Sequence, residues 1–471
     1  MGRAAASSTR HVQQKGWVSA IVARTTPSDK VRELQRTLYR AAKADPGRRF
    51  HALYDKLSRR DVLERAWDQV RRNRGAAGID RITLADIEQY GINRLLEALA
   101  MDLRAGRYRP LPGRRVWIPK PGSAERRPLS IPAVHDRIVQ AAAKIVIEPI
   151  FEADFLPCSF GFRPKKAAHD ALQVLLDEAF RGRRWVVETD IASCFEAIPH
   201  QRLMAAIEGR ISDRRLLKLL RALLRAGVLE EGAVRRSVSG TPQGGVISPL
   251  LANVYLHRLD RAWQTTGGTG VLVRYADDLV VMCRNRGEAE RSLAALRSLL
   301  AELGLAPKEA KTRIVGLREG GEGFDFLGFE HRWLRVRRLG SRYIAFLARW
   351  PSRQARQHAR DRIRELTARE RLLLPVEVVT GDVNRFLRGW AGYFRYGNSA
   401  RRFDQIMTYA TQRLAGFVAK RHKRSSRYGW WAVVHGSPDR LGLINLNGWV
   451  VAPRPNWGWR AKPNADGEGR R

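Results

Sequence analysis

Tyr275-Ala276-Asp277-Asp278, set between the apolar runs Val271-Leu272-Val273 and Leu279-Val280-Val281-Met282, decides how the chain folds. Two apolar runs around a short acidic turn predict a β-hairpin with both carboxylates at its tip. Carboxylates held side by side and half-buried repel each other, so a fold that keeps both ionised supplies a cation between them. Mg²⁺ suits that place, because it is a hard ion that takes oxygen ligands and keeps positions open for phosphate. Asp-Asp is also ordinary turn chemistry, since Asp tolerates the backbone angles of tight turns.

Two further segments separate these readings. Trp185-Val186-Val187-Glu188-Thr189-Asp190 is an apolar strand that ends on an isolated Asp, followed by Ile191-Ala192-Ser193-Cys194-Phe195. An Asp at the end of one strand beside a two-Asp hairpin gives the three carboxylates that two-metal phosphoryl transfer requires. Ser239-Gly240-Thr241-Pro242-Gln243-Gly244-Gly245-Val246-Ile247-Ser248-Pro249-Leu250 is rich in small residues that let a nucleotide approach the backbone closely, or that serve as a helix-entry loop.

The order of these motifs resembles the palm of reverse transcriptases, and most closely the group II intron reverse transcriptase/maturase family. Ile118-Pro119-Lys120, Arg127-Pro128-Leu129-Ser130-Ile131-Pro132, Asp136-Arg137-Ile138-Val139-Gln140, Ser159-Phe160-Gly161-Phe162-Arg163-Pro164 and Phe326-Leu327-Gly328-Phe329 extend the resemblance from about Phe50 to about Arg424. It implies an α+β, right-hand polymerase fold with fingers, palm and an α-helical thumb (the maturase or X domain). The implied activity is RNA-directed DNA synthesis with two Mg²⁺ ions, deoxynucleoside triphosphates and a DNA primer or target. Binding of the cognate group II intron RNA, for splicing and retrohoming, is implied too.

The same resemblance assigns roles. Asp190, Asp277 and Asp278 are the expected catalytic carboxylates, holding metal together with Ile191, whose backbone amide is expected to face a phosphate. Lys120 and Arg127 are expected to grip the triphosphate, Arg with a fork that matches phosphate oxygens. Gln243 is expected to contact the nucleotide. Phe195, five residues after Asp190, is expected to lie under the sugar and clash with a 2′-hydroxyl, or else to be a plain core residue. Lys311 is a weaker expectation, as a donor of a proton or of charge to the leaving pyrophosphate.

Composition points to the same partners independently. The chain has 471 residues and a formal net charge of +39, with a pI near 11.3. So basic a chain concentrates polyanions and gains affinity by releasing their counterions. Arg214, Lys218, Arg221 and Arg225 alternate with Leu217, Leu220 and Leu224 at helical spacing, and Arg353, Arg356, Arg360 and Arg364 form a second stripe. Arg385 and Arg388 lie among aromatics in Asn384-Arg385-Phe386-Leu387-Arg388-Gly389-Trp390-Ala391-Gly392-Tyr393-Phe394, a mixture that suits RNA, although Phe386, Leu387 and Trp390 read as helix core.

The length exceeds one ordinary core. The expected organisation is a basic arm over residues 1–49, fingers and palm over 50–330, a mainly helical thumb over 331–424, and a Trp-rich basic segment over 425–471 suited to DNA. No cysteine follows Cys283, and His422 and His435 lack partners at ligand spacing, so no Cys/His endonuclease is expected. Cys158, Cys194 and Cys283 read as reduced thiols of a cytosolic protein, the last two near the active centre. No apolar run suits a membrane span, no signal-peptide core is evident, and Ala6 spoils an N-myristoylation pattern. Three other readings were open to these residues. A non-catalytic RNA-binding splicing factor would not need the carboxylates, an RNA-dependent RNA polymerase would prefer a small residue to Phe195, and a retron or phage-defence enzyme would not need the thumb segment.

Overall fold

The computed structural model describes residues 27–119, 126–230, 233–235, 240, 244–265, 270–337 and 343–456. Eleven strands lie among them: β1 (Gly113–Pro119), β2 (Arg126–Ile131), β3 (Trp185–Asp190), β4 (Val228–Glu230), β5 (Ala233–Arg235), β6 (Val271–Tyr275), β7 (Asp278–Cys283), β8 (Arg313–Gly316), β9 (Phe324–Phe326), β10 (Phe329–Arg337) and β11 (Tyr343–Pro351). They form three sheets, ordered β2-β1-β4-β5, β6-β7-β3-β8 and β11-β10-β9.

The middle sheet positions the site, and its strands are apolar on both faces because both are covered. Val187, Leu272, Leu279 and Val281 face a core that includes the almost wholly buried helix Val134–Glu152. Val186, Val273, Val280 and Met282 face a second core shared with the helices Ala168–Phe180, Val376–Phe394 and Ala400–Arg421. Period-two alternation sends successive residues to opposite cores, so a one-residue slip of register would exchange the two sets.

Three expected boundaries differ. The stretch assigned to a basic arm contributes the helix Pro27–Ala44, whose Val31, Leu38 and Ala42 are buried against the first core. Its charges occupy the outer face of an amphipathic helix, and residues 1–26 lie outside the described residues. The segment from 331 is not mainly helical at its start, because β10 and β11 pair over their full lengths before the helix Arg353–Leu366 begins. The cut at 424 falls inside one packed unit: Val433, Leu443 and Leu446 are buried in the same core as Leu414 and Val418. Trp430 and Trp431 are exposed there, Trp449 is packed against that core, and Trp457 and Trp459 lie outside the described residues. Phe386 packs against this core, and Leu387 and Trp390 are buried in it, as read from the sequence.

Candidate active site

Antiparallel pairing of β3 with β7 sets Asp190 directly opposite Asp278, and Asp277 occupies the turn between β6 and β7. Ala276 enters that turn with φ of +57°. The Ile191 amide donates to the Asp277 carbonyl oxygen at 3.1 Å, and the Lys308 amide donates to the Asp190 carbonyl oxygen at 2.7 Å. The expectation that the Ile191 amide faces a phosphate is therefore corrected: it is spent on tying the two strand ends together.

Burial first, and then the charge of Asp190, raises the Asp277 carboxyl above its ordinary range; Arg127 and Lys311 offset part of this. Asp278 is pushed up to about 7 by burial and by the charges of Asp277 and Asp190. The three carboxylates thus share one electrostatic locus, as expected of a cation site. Arg127, exposed on β2, lies close enough for its charge to act on both Asp277 and Asp278. Lys311 Nζ donates to Asp190 Oδ2 at 2.6 Å. Burial disfavours its ammonium, yet the bond to Asp190 and the charges of all three Asp residues leave its pKa raised.

Among the described residues, no group of three or more His, Cys, Asp or Glu side chains is gathered closely enough to hold a metal ion. The backbone positions are set, but the carboxylates are not drawn into a cage, and the Lys311 ammonium is the cation on Asp190. The donor set still fits Mg²⁺. All its side-chain donors are carboxylate oxygens, and Asp190 Oδ1 is buried without a hydrogen-bond partner among the described residues.

The Gly-rich loop borders this edge. Gly240 donates to the Ile198 carbonyl at 2.7 Å. Gly244, with φ of +106°, lies so close to β2 that a β-carbon would stand 2.4 Å from the Ser130 carbonyl oxygen. Only glycine fits there. Gly240 thus packs on the short helix Cys194–Ala197, which carries a half-buried Phe195, and Gly244 on the strand that carries Arg127. Lys120 and Gln243 lie outside the described residues.

Sequence reading missed what braces the turn. Arg274 is fully buried on β6, and its guanidinium donates to Asp260 Oδ1 at 2.7 Å, Asp260 Oδ2 at 2.5 Å, Asn253 Oδ1 at 3.0 Å, Ser159 Oγ at 2.7 Å and the Ala276 carbonyl at 3.1 Å. Asn253 and Asp260, seven residues apart on the helix Ser248–Thr265, share one helical face. The signal was a lone Arg inside an apolar strand, because a buried charge is almost always paired. The cysteine expectation is half corrected. Cys194 lies close enough to Asp277 and Asp190 for their charges to act on it, and burial first pushes its thiol up to about 12. Cys283 pairs with Trp185 at the far end of the strands.

The basic stripes lie on helices as read. Arg214–Arg225 buries Leu217, Leu220 and Leu224, and Arg353–Leu366 exposes Arg353 and Arg364. Arg356 is lowered by burial, by Arg402 and by its stripe neighbours Arg360 and Arg353. With Trp350, Arg353, Arg356 and Arg402 line a cavity of about 590 Å³. Arg364 pairs with Asp361 at 3.0 Å and Arg385 with Asp382 at 2.8 Å, both on the surface, and Arg388 is exposed.

Comparison with known proteins defines the class. Residues 118–331 match the family described as reverse transcriptase (RNA-dependent DNA polymerase), which has the right-hand polymerase fold, and residues 356–433 match the group II intron, maturase-specific domain. Protein YkfC of Escherichia coli (strain K12) is 34% identical over 370 residues, 70% of this chain and 94% of that protein. The group II intron-encoded protein LtrA of Lactococcus lactis subsp. cremoris is 40% identical over 214 residues, 45% of this chain but 35% of its own length. The nuclear intron maturase 2, mitochondrial, of Arabidopsis thaliana is 26% identical over 171 residues, 28% of this chain and 23% of that protein. The fold is that of a nucleic-acid polymerase of the reverse transcriptase class. The chain belongs to the group II intron reverse transcriptase/maturase family, whose members copy RNA into DNA.

Proposed function

We propose that the β3–β7 edge is the polymerase centre, with Asp190, Asp277 and Asp278 as its catalytic carboxylates. One observation carries this: the register places Asp190 opposite Asp278, with Asp277 in the adjoining turn. In this reading the sheet β6-β7-β3-β8 is the palm, β1 and β2 belong to the fingers, and the helices from Arg353 onward form the thumb. A primer 3′-hydroxyl at the edge attacks the α-phosphorus of a deoxynucleoside triphosphate and releases pyrophosphate.

Asp190, Asp277 and Asp278, with the Ile191 carbonyl, would hold Mg²⁺, which activates the hydroxyl and stabilises the leaving phosphate. Arg127, joined on sequence grounds by Lys120 and Gln243, orients the triphosphate by charge-assisted hydrogen bonds. Phe195 excludes a 2′-hydroxyl. Lys311 acts through charge at Nζ, because a raised pKa keeps it protonated and makes it a poor proton donor. The Arg stripes follow the phosphates of the group II intron RNA, in line with assistance to splicing, and target-primed synthesis at a DNA site completes retrohoming. No helix of the described residues is long and apolar enough to cross a membrane; the location proposed with this activity is the cytoplasm or nucleoid.

The test is extension of a DNA primer on an RNA template, with Mg²⁺ and deoxynucleotides, by the wild type and Asp190→Asn. Extension by the wild type alone, with RNA bound equally by both, supports the proposal. RNA-binding wild type that makes no DNA on any primed template sinks it.

A further inference from the structure

Beside the acidic turn the fold spends conformational strain to hold an aromatic ring in solvent. Phe162 is 51% exposed and adopts φ of +57°, a left-handed conformation that residues bearing a β-carbon disfavour. Both neighbours are fixed. Gly161 packs so tightly on the turn that a β-carbon there would lie 2.5 Å from the Ala276 amide nitrogen, and its carbonyl accepts from Asn253 Nδ2 at 2.8 Å. Arg163, 5% exposed at its side chain, donates to Glu152 Oε1 at 2.7 Å and to the carbonyls of Leu156 and Ser159, both at 2.7 Å.

Phe162 is thus held between two anchored residues, and a strained, exposed, rigidly presented aromatic stands out from the cost it carries. Its ring centre lies 6.4 Å from that of Tyr275, with the planes at 44°. The tilt leaves a ring face uncovered by Tyr275. Lys165, also left-handed at φ of +59°, and Lys166 follow it as exposed cations on the same loop. An exposed aromatic with cations on the same loop is the equipment for stacking a base and holding its phosphate.

We propose that Phe162 is a stacking platform for the 3′-terminal nucleotide of the primer, with Lys165 and Lys166 meeting its backbone phosphates. The inference rests on the polymerase reading of the turn. Tyr275 is two residues before Asp277, so the nucleotide within reach of both rings is the one that delivers its 3′-hydroxyl to the carboxylates. Incoming nucleotides meet Arg127 instead, so substrate binding divides between this loop and β2.

The experiment uses the full chain with a DNA primer carrying 2-aminopurine at its 3′ end, annealed to an RNA template, without deoxynucleotides. Stacking on a ring quenches the probe. Wild type, Phe162→Tyr and Asp277→Ala are expected to quench. Phe162→Leu should not, and in extension assays its primer affinity should fall roughly 5- to 150-fold with the deoxynucleotide KM unchanged. Quenching by Phe162→Leu equal to wild type overturns the platform, as does equal impairment of the Leu and Tyr variants, which would assign the effect to loop structure. Quenching by a wild type that never extends would leave the platform standing and sink the polymerase reading. Extension by a wild type whose Phe162→Leu variant matches it in every value would do the reverse.

Discussion

The acidic edge of β3 and β7 and the basic face of the helix Arg353–Leu366 both concentrate like charges, but by opposite physics. At the edge, three carboxylates crowd where burial is already costly, so that Asp278 titrates at about 7. On the helix Arg353 and Arg364 stand in solvent, and Arg356 is depressed first by partial burial and then by its Arg neighbours. Repulsion in a low-dielectric setting is a strong and local energy, whereas repulsion in water is weak and screened. One lost carboxylate should therefore abolish a function, and one lost arginine should trim an affinity.

The largest effect concerns the brace under the acidic turn. Asp260→Ala strands the buried Arg274 charge and should cost about 3–5 kcal/mol, while pairing Asp260→Leu with Arg274→Met should recover most of that. Denaturant unfolding of the three proteins checks it, and a loss near zero in the single variant would mean the network is not a strut.

Protonation gives the next effect. The metal-free native state keeps a proton on Asp278 between the ordinary carboxylate range and about pH 7, where the unfolded chain has lost it. Stability should accordingly fall as pH rises through that window, by up to about 1.4 kcal/mol per unit. Apparent Mg²⁺ affinity should climb by up to tenfold per unit and level off above 7, because the ion displaces the proton. Thermal melts from pH 5 to 8 with and without Mg²⁺ would show both slopes, and Asp278→Asn should flatten them.

The hairpin of β10 and β11 should show the opposite sign. His331 is buried, stacked on Phe324 at 4.6 Å, and pushed down to about 3 by burial and then by Arg349. Its contribution is intact above its ordinary pKa and is lost as pH falls toward 3, at up to about 1.4 kcal/mol per unit. His331→Phe keeps the stack and should make the acid limb of unfolding shallower; an unchanged limb would remove His331 from the account. The smallest effect belongs to the helix. Arg360→Gln with Arg364→Gln should weaken RNA binding a few-fold and reduce the salt slope by roughly 0.7–0.9 per phosphate contact, which titrations at several salt concentrations would read.

The acidic hairpin was legible because its signals are local: alternating apolar residues, a tight turn and an Asp at a strand end. Helical stripes were legible for the same reason. What escaped depends on contacts between distant segments. Arg274 looks like an interruption of a strand until Asp260, Asn253 and Ser159 are brought around it. The Ile191 amide looks free until the Asp277 carbonyl arrives opposite. The boundary at 49 followed basic composition, which describes surfaces, and those at 330 and 424 followed the extent of the resemblance, while the packing that joins Pro27–Ala44 and Ser426–Val434 to the cores depends on their buried faces. Phe162 lay inside a quoted motif, but nothing in its local pattern marks a left-handed, exposed ring.

The central claim is that the carboxylate edge performs chemistry while the basic faces bind nucleic acid independently of it. The most direct test measures RNA affinity and Mg²⁺-dependent primer extension on the same preparations of wild type, Asp277→Ala, and a chain with Arg353, Arg360 and Arg364 all changed to Gln. The account predicts that Asp277→Ala binds RNA like wild type but loses extension by more than the roughly 10- to 100-fold typical of residues that only orient metal ligands. It predicts that the Arg variant binds RNA less tightly yet extends at the wild-type rate once RNA is saturating. Loss of RNA binding by Asp277→Ala in proportion to its loss of extension, or extension that survives the substitution, would contradict it.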